Sequence, residues 1–532
     1  MYFVSMTEFA WPRGPCGYIL DHGGGVNAEC ARTPRRWGTV MDTDTVETAS
    51  RVPLVVLGIP FDNVTFGEAV DWVRRRIETR KPAYIATANL DFVMQAWRDP
   101  ELQRILLEAD LVVADGAPIV RLSRWFGPPL RQRVTGSDLV PMLARMAREN
   151  GRSLFLLGGA PGVAEKAAAG LCRREPGLAI AGCHSPPQAD LLSMDHAGIL
   201  ARIESAAPDL LLIAFGAPKQ EKFANLHVRK WKVPVSIGVG GTLDFLAGAQ
   251  TRAPRWVQAL SLEWLWRMLT NPTRLAGRYA ANLAFLVRAG WRLLRLRAGA
   301  PVPSPEAAAE PPNLGPDAAG LVFRSLPDAD AAAAFVRAGL LETRGRPLAV
   351  DLAGADWLSS LDLGALLKLG RDLRARGAAL MLLRPGPRAK RLLAESRLTE
   401  YFEVFDTPQA ARTRVVASGG EARTGDAFLS ADGSATLRLP AELTAANLDA
   451  FRAVWAKAAV NGTPARLTVD FRHARFIDSS GLGFLAGLAR DAATAGGSVR
   501  WVSIGDRIRR IVAIAKLDRL IVEDGGTRGP GN

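Results

Sequence analysis

Cysteine is scarce: Cys16, Cys30, Cys172 and Cys183 are the four in 532 residues. None forms a CxxC pair or stands at metal-ligand spacing with the five histidines, which argues against a disulfide framework and for a reducing compartment. No run of about 18 uncharged apolar residues occurs, so no membrane-spanning helix is expected. The N-terminus lacks the basic stretch and apolar core of a secretory signal. Acidic residues are in deficit, 53 against 67 Lys and Arg, for a formal charge of +14. The excess is local. Between Arg252 and Ala300 nine arginines face one acid, Glu263, a net +8 of the +14. Such a concentration points to an anionic partner: a nucleotide, a nucleic acid or a membrane surface.

The length accommodates three or so domains. Residues 1–50 carry Gly, Pro and two Cys without periodicity, and read as disordered or as an artefact of start-codon choice. From 52 to about 250, short apolar runs ("AYIATAN", "DLVVADG", "SLFLLGG", "PDLLLIAFG", "PVSIGVGG") end in small or polar residues and alternate with helical patterns. This is the pattern of a parallel α/β sheet with ligands at the carboxyl ends of its strands. Residues 252–297 read as a helical tail. The stretch 298–320, rich in Pro and Ala, reads as a linker that would separate the modules on either side.

An internal repeat follows the linker. "LAVDLAGADWLSSLDLGALLKL" (348–369) aligns without gaps on "LTVDFRHARFIDSSGLGFLAGL" (467–488), at an offset of 119. Each copy runs strand, loop, serine junction, helix, strand, so two small α/β domains are expected at 321–415 and 427–525. The second copy, with "IDSSGLG", resembles STAS domains, the family of anti-anti-sigma factors and transporter tails. The resemblance implies that Ser479 is a kinase target and that a kinase or anti-sigma-like partner binds this domain. An exposed serine at a helix start is also suited to cap free N–H groups, and a phosphate there would meet a favourable helix dipole. The first copy departs from the pattern: Ser360 holds the position, but Ser359 replaces the aspartate and Leu361 and Asp362 replace Ser480 and Gly481. It reads as a degenerate pairing module.

Residues 52 to about 280 carry, in order, "TANLDFV" (87–93), "VADGAPIV" (113–120), "RVTGSDL" (133–139), "LLGGAPG" (156–162), "FGAPKQE" (215–221), "GVGGTLDFLAG" (238–248), "RAP" (252–254) and "EWLWRM" (263–268). Together these resemble the TagA/CpsF/WecG family of bacterial glycosyltransferases. The resemblance implies inverting transfer of a sugar from a UDP-sugar to a polyprenyl-diphosphate-linked sugar, with no essential metal and no cofactor. It puts the base on Asp115, at the end of the strand "DLVVA"; a helix-capping Asp is the alternative for that residue, and Asp244 competes for the role. Arg133 is suited to neutralise the departing diphosphate, with Arg131 its competitor. Thr87 and Asn89, which end a strand, can hydrogen-bond a sugar or form a turn. Gly158 and Gly159 open a Gly-rich strand-to-helix turn of a kind that cradles phosphate. Gln220 carries an amide for a sugar or base edge. No DxD triplet occurs in this region, in keeping with a metal-free reaction.

On a helical wheel of about 100° per residue, Arg274, Arg278, Arg288, Arg292 and Arg295 fall on one side, and Leu275, Tyr279, Leu283, Leu286, Leu293 and Leu294 on another. Trp256, Trp264, Trp266 and Trp291 add interfacial aromatics. This reads as a helical region lying on an anionic membrane, with packing on its own domain as the alternative. Nucleic acid is not expected as a partner, since no recognised binding module is present. The fold expected is α/β throughout: a Rossmann-like parallel-sheet domain with a basic helical tail, then two STAS-like domains. The function expected is cell-surface polysaccharide synthesis, cytoplasmic and peripheral on the inner face of the plasma membrane. The rival is a non-catalytic, partner-switching scaffold regulated by serine phosphorylation.

Overall fold

The computed structural model describes residues 51–125, 127–250, 253–254, 257, 266, 272–298, 312, 318–343, 346–355, 357–417, 425–429, 434–459, 466–494, 496–515 and 517. The expectation for 1–50 and most of the linker fall outside them. The first domain opens with a hairpin, β1 (Leu54–Val56) and β2 (Ile59–Phe61), turning through Leu57 and Gly58 at positive φ. Helix α1 (Phe66–Thr79) starts at a reciprocal cap, in which Thr65 Oγ1 accepts the Glu68 N–H and the Glu68 carboxylate accepts the Thr65 N–H.

Strands and helices then alternate: β3 (Ala83–Ala88), α2 (Leu90–Ala96), α3 (Pro100–Glu108), β4 (Leu111–Ala114), α4 (Ala117–Ser123), α5 (Gly136–Glu149), β5 (Ser153–Gly158), α6 (Val163–Arg174), β6 (Ala179–His184), α7 (His196–Ala206), β7 (Leu210–Ala214), α8 (Lys219–His227), β8 (Val235–Gly238), α9 (Thr242–Leu246) and α10 (Pro272–Ala298). The six strands β3–β8 form one parallel sheet in the order β4-β3-β8-β7-β5-β6. Its central strands are buried along almost their whole length because helices cover both faces. One face packs on Val73, Ile77, Leu139, Leu143 and Leu171.

The middle domain runs β9 (Ala319–Val322), α11 (Ala329–Thr343), β10 (Leu348–Asp351), α12 (Ser360–Ala375), β11 (Leu380–Leu383), α13 (Pro387–Glu395), β12 (Glu403–Phe405) and α14 (Pro408–Ala417), with a parallel sheet ordered β12-β11-β10-β9. The last domain runs β13 (Asp426–Leu429), β14 (Ala435–Arg438), β15 (Glu442–Leu443), α15 (Leu448–Ala458), β16 (Arg466–Asp470), β17 (Phe476–Ile477), α16 (Ser479–Thr494), β18 (Ser498–Val502) and α17 (Asp506–Ile514). Its sheet is β13-β14-β16-β18, parallel except for β13, with β15 and β17 paired separately.

The modules are not held apart as the linker suggested. The other face of the first sheet shares one continuous apolar core with the middle domain, joining Leu54, Phe61, Val93 and Ile105 to Leu361, Leu366, Leu369 and Phe402. Contact is close enough that a Cβ on Gly364 would overlap the Pro53 carbonyl oxygen. The last domain has its own core, around Leu437, Phe451, Val469, Leu485 and Trp501.

Candidate active site

The carboxyl ends of β3, β4 and β8 gather most of the residues singled out in the sequence. Asp115 follows β4, half-buried, and its N–H donates to the Ala88 carbonyl at 2.9 Å, which holds it beside the end of β3. Asn89 Oδ1 accepts the N–H groups of Asp91 and Phe92 and so caps α2. A Cβ on Gly116 would sit 3.7 Å from that of Asn89, so the chain turns tightly around the Asn89 side chain. The Val134 N–H donates to the Ala114 carbonyl at 2.9 Å, laying the "RVTGSDL" segment along the end of β4 and bringing half-buried Arg133 next to Asp115 in the chain path. The competitor Arg131 is engaged elsewhere: its Nη2 meets Glu68 Oε2 at 2.5 Å and the Asn63 carbonyl at 2.6 Å. Thr87 is buried, and its hydroxyl donates to the Gly238 carbonyl at 2.8 Å, tying β3 to β8. Asp244 lies in the first turn of α9.

Gln220 differs from expectation. It is 1% exposed, and both ends of its amide bond within the protein: Nε2 donates to Glu221 Oε1 at 2.7 Å, and Oε1 accepts the Gly240 N–H at 3.1 Å. It props the "GVGG" turn and leaves neither end of its amide facing solvent. Lys219 reaches the Ala189 carbonyl at 2.6 Å. The residue next to Gln220 carries a feature the sequence reading did not single out. Glu221 is fully buried, accepts the Tyr84 hydroxyl at 3.2 Å, and leaves Oε2 without a hydrogen bond. Burial drives its pKa up to about 7, against the smaller opposing effect of the Gln220 and Tyr84 hydrogen bonds. Tyr84 is in turn held well above the ordinary tyrosine range by burial and by the Glu221 charge. No local pattern marks Glu221, because apart from Gln220 the groups around it, Tyr84 and Gly238, come from β3 and β8.

Gly158 and Gly159 both take positive φ. A Cβ on Gly158 would come within 2.6 Å of the Ala214 carbonyl oxygen, and the Gly159 N–H donates to that oxygen at 3.0 Å. Their first role is therefore the close approach of the β5 and β7 ends, with α6 beginning after Gly162.

The basic tail turns one face inward. Phe285 of α10 meets Trp97 edge-on at 4.9 Å between ring centroids, and Asn282 and Ala289 are buried. Arg292 lies over the Trp97 ring at 5.7 Å and pairs with Glu395 at 3.4 Å, so it faces the protein rather than an open membrane surface. Arg288 is exposed, while the side chains of Arg274 and Arg278 fall outside the described residues. Leu283, Val287 and Trp291, four residues apart, are 64%, 65% and 59% exposed, with Arg295 over the Trp291 ring. Among the described residues no helix is long and apolar enough to cross a membrane.

Ser479 is not exposed as expected, and it is not the cap of its helix. Asp478 Oδ1 accepts the N–H groups of Ser480 and Gly481, while Ser479 itself is buried with its hydroxyl bonded to Glu101 Oε2 at 2.8 Å. In the middle domain Ser359 is the cap, in a reciprocal pair with Asp362, and Ser360 Oγ donates to the Val55 carbonyl at 2.8 Å.

The arrangement defines a class: an α/β domain with polar residues gathered at the carboxyl edge of a parallel sheet, extended by two small α/β modules. Residues 54–299 match the description "Glycosyl transferase WecG/TagA/CpsF family", and 328–411 and 429–527 each match "STAS domain". Two proteins named N-acetylglucosaminyldiphosphoundecaprenol N-acetyl-beta-D-mannosaminyltransferase, from Staphylococcus aureus strains MRSA252 and NCTC 8325, are each 31% identical over 247 residues. That stretch is 46% of this chain and 95% of theirs. The chain belongs to the WecG/TagA/CpsF glycosyltransferase family and carries STAS domains after its transferase domain.

Proposed function

We propose that this protein transfers a hexose-type sugar from a UDP-sugar to a polyprenyl-diphosphate-linked sugar during cell-surface polysaccharide synthesis, with inversion and without a metal. The observation that carries the reading is the meeting of Asp115, Asn89 and the Arg133 segment at one carboxyl edge of the sheet, where Asp115 is half-buried beside the end of β3. Asp115 takes the proton of the acceptor hydroxyl as that oxygen attacks the anomeric carbon. The bond from that carbon to UDP breaks, and Arg133 neutralises the charge gathering on the diphosphate. Asn89 and the Gly158–Gly159 turn border the substrates. Thr87 and Gln220 act as positioning residues that fix β3 and the Gly240 turn. The relatives' name, which specifies a diphosphoundecaprenol-linked acceptor, supports the acceptor class.

The enzyme works in the cytoplasm on the inner face of the plasma membrane, with α10 lying on anionic lipid through Leu283, Val287, Trp291, Arg288 and Arg295. The STAS domains regulate it or dock partners, and Ser479 is the kinase target. The test is a panel of UDP-hexoses and UDP-N-acetylhexosamines given with a polyprenyl-diphosphate N-acetylglucosamine in the presence of chelator, with the lipid product weighed by mass spectrometry. One added sugar from one donor is the expected result. No extension with any donor would remove the proposal.

A further inference from the structure

The two serine junctions of the repeat both point into the transferase domain, but they are met there by different chemistry. Ser360 sits on the seam of a continuous apolar core, and its hydroxyl donates to a backbone carbonyl. Ser479 meets a cluster of charges. Its N–H donates to Glu101 Oε1 at 2.6 Å and its hydroxyl to Glu101 Oε2 at 2.8 Å. Lys222 of α8 holds Glu101 Oε2 at 2.8 Å and Asp99 Oδ2 at 2.7 Å, and is itself largely buried. Asn225, one turn further along α8, donates to Asp478 Oδ2 at 3.4 Å.

Around this centre the contact is built on charged side chains, with the Arg104 guanidinium lying over Phe476 of the last domain at 5.4 Å and Tyr401 of the middle domain at 4.8 Å. Arg104 of α3 bridges Glu108 at 2.6 Å and Glu442 of the last domain at 3.0 Å. Arg475 pairs with Glu403 at 2.8 Å and Arg507 with Glu400 at 3.1 Å, both across to the middle domain. The last domain keeps a core of its own. Buried charges regain their hydration when two domains part, so an interface of ion pairs between separately cored domains comes apart at lower cost than a shared apolar core.

We propose that the last domain is a releasable module, latched in cis onto α3 and α8 of the transferase domain through the Ser479–Glu101 contact, and that negative charge placed on Ser479 opens the latch. The Ser360 contact is by contrast a permanent anchor. The inference rests on the reading of Ser479 as a kinase target only for the source of that charge. There, a kinase moves the γ-phosphoryl group of a nucleoside triphosphate to Oγ. The Oγ–P bond forms as the β–γ P–O bond breaks, the diphosphate leaves, and the hydroxyl proton passes to the kinase's base. A phosphate adds a charge of about −1.5 to −2. At Ser479 it would stand against Glu101, and the cation beside that pair, Lys222, already serves Asp99. The same helix α8 carries Gln220, so the latch holds the element that supports the Gly240 turn. A partner that needs the Ser479 face must compete with the transferase domain for it.

Hydrogen–deuterium exchange on the full chain tests the latch without a kinase. In wild-type protein the segments 99–105 and 478–484 should both be protected. Ser479→Asp should raise exchange by about 10²-fold or more at the residue-479 amide, which the Glu101 contact holds, while amides bonded within α3 and α16 stay protected. The strands 466–470 and 498–502 should stay protected, because the last domain remains folded. Adding Glu101→Gln to Ser479→Asp should restore protection. The new amide donates to the introduced carboxylate, and Lys222 again faces two acids, Asp99 and that carboxylate, in place of Asp99 and Glu101. Wild-type exchange in Ser479→Asp, failure of Glu101→Gln to restore it, or loss of protection in 466–470 and 498–502 as well would overturn the proposal. Phosphopeptide mapping from cells answers separately for the kinase: an unmodified Ser479 there would remove the kinase reading while the exchange result still decides the latch.

Discussion

Two buried acids, Glu221 and Asp478, hold their protons more tightly in the folded chain than free carboxyls do. Burial is the main cause in each, and each pKa stands at about 7. The neighbouring Glu101 charge adds to the shift at Asp478. Below the ordinary carboxyl range both states are protonated and the pair has no effect on the balance. From about pH 4.5 to about 7 the unfolded chain has lost these protons and the folded chain keeps them, so stability falls as pH rises, by up to about 1.4 kcal/mol per pH unit per group. Melting curves at pH 5 and pH 8 should show this loss in the wild type and a smaller one in Glu221→Gln, whose carbonyl still accepts the Tyr84 hydroxyl. Equal losses in the two proteins would mean that Glu221 does not titrate in this window. At this scale the sequence was legible in position: Asp115 and Asn89 follow apolar runs and lie at the strand ends where that pattern puts them. It was silent on Glu221, whose environment is assembled from β3, β8 and α8. It was silent too on Glu101 as the partner of Ser479, 378 residues away.

Helix α10 shows what an element's periodicity can and cannot settle. The wheel separates two faces, but the described residues fall on three. Phe285 and Ala289 pack inward, Arg292 is drawn to Trp97 and Glu395, and Leu283, Val287 and Trp291 remain outside. A wheel records angles, and only tertiary contacts say which angle meets protein. The exposed stripe beside Arg288 and Arg295 is suited to insert at a lipid headgroup boundary. Changing Leu283, Val287 and Trp291 together to Ser should abolish sedimentation with anionic vesicles and leave the fold intact, since these side chains are exposed. Arg288→Glu with Arg295→Glu should weaken binding by roughly 1 kcal/mol for each basic residue lost, and the effect should shrink with added salt. Arg292→Glu should instead lower thermal stability, by placing like charge against Glu395. Undiminished vesicle binding by the triple Ser variant would leave the helix as a packing element alone.

Across the whole molecule, the Pro- and Ala-rich linker and the repeat announced three modules, and three modules are present. What the sequence could not show is how unequally they are joined. The middle domain completes the apolar core beneath β1 and β2, while the last domain is attached by the Ser479–Glu101 hydrogen bonds and by ion pairs of Glu442, Arg475 and Arg507. A chain ending at residue 424 should therefore melt within a few degrees of the full protein. A chain ending at residue 300 would expose the core around Leu54, Phe61 and Ile105, and should melt about 10 °C lower or aggregate. Similar melting of the two shortened chains would contradict the shared core.

We propose that the sheet edge beside Asp115 catalyses transfer to a lipid-linked sugar. The most direct test is the rate of UDP release by wild-type protein and by Asp115→Asn, each given the UDP-sugar found by the donor panel and a polyprenyl-diphosphate N-acetylglucosamine. The wild type should release UDP in step with lengthened lipid. Asp115→Asn should be slower by roughly 10²–10⁴-fold, the range for loss of a positioned general base, with donor affinity little changed because the amide keeps the carboxylate's shape. Equal rates in the two proteins would move the base to another residue, Asp244 first. Absence of acceptor-dependent UDP release from the wild type would contradict the account and leave the partner-switching scaffold in its place.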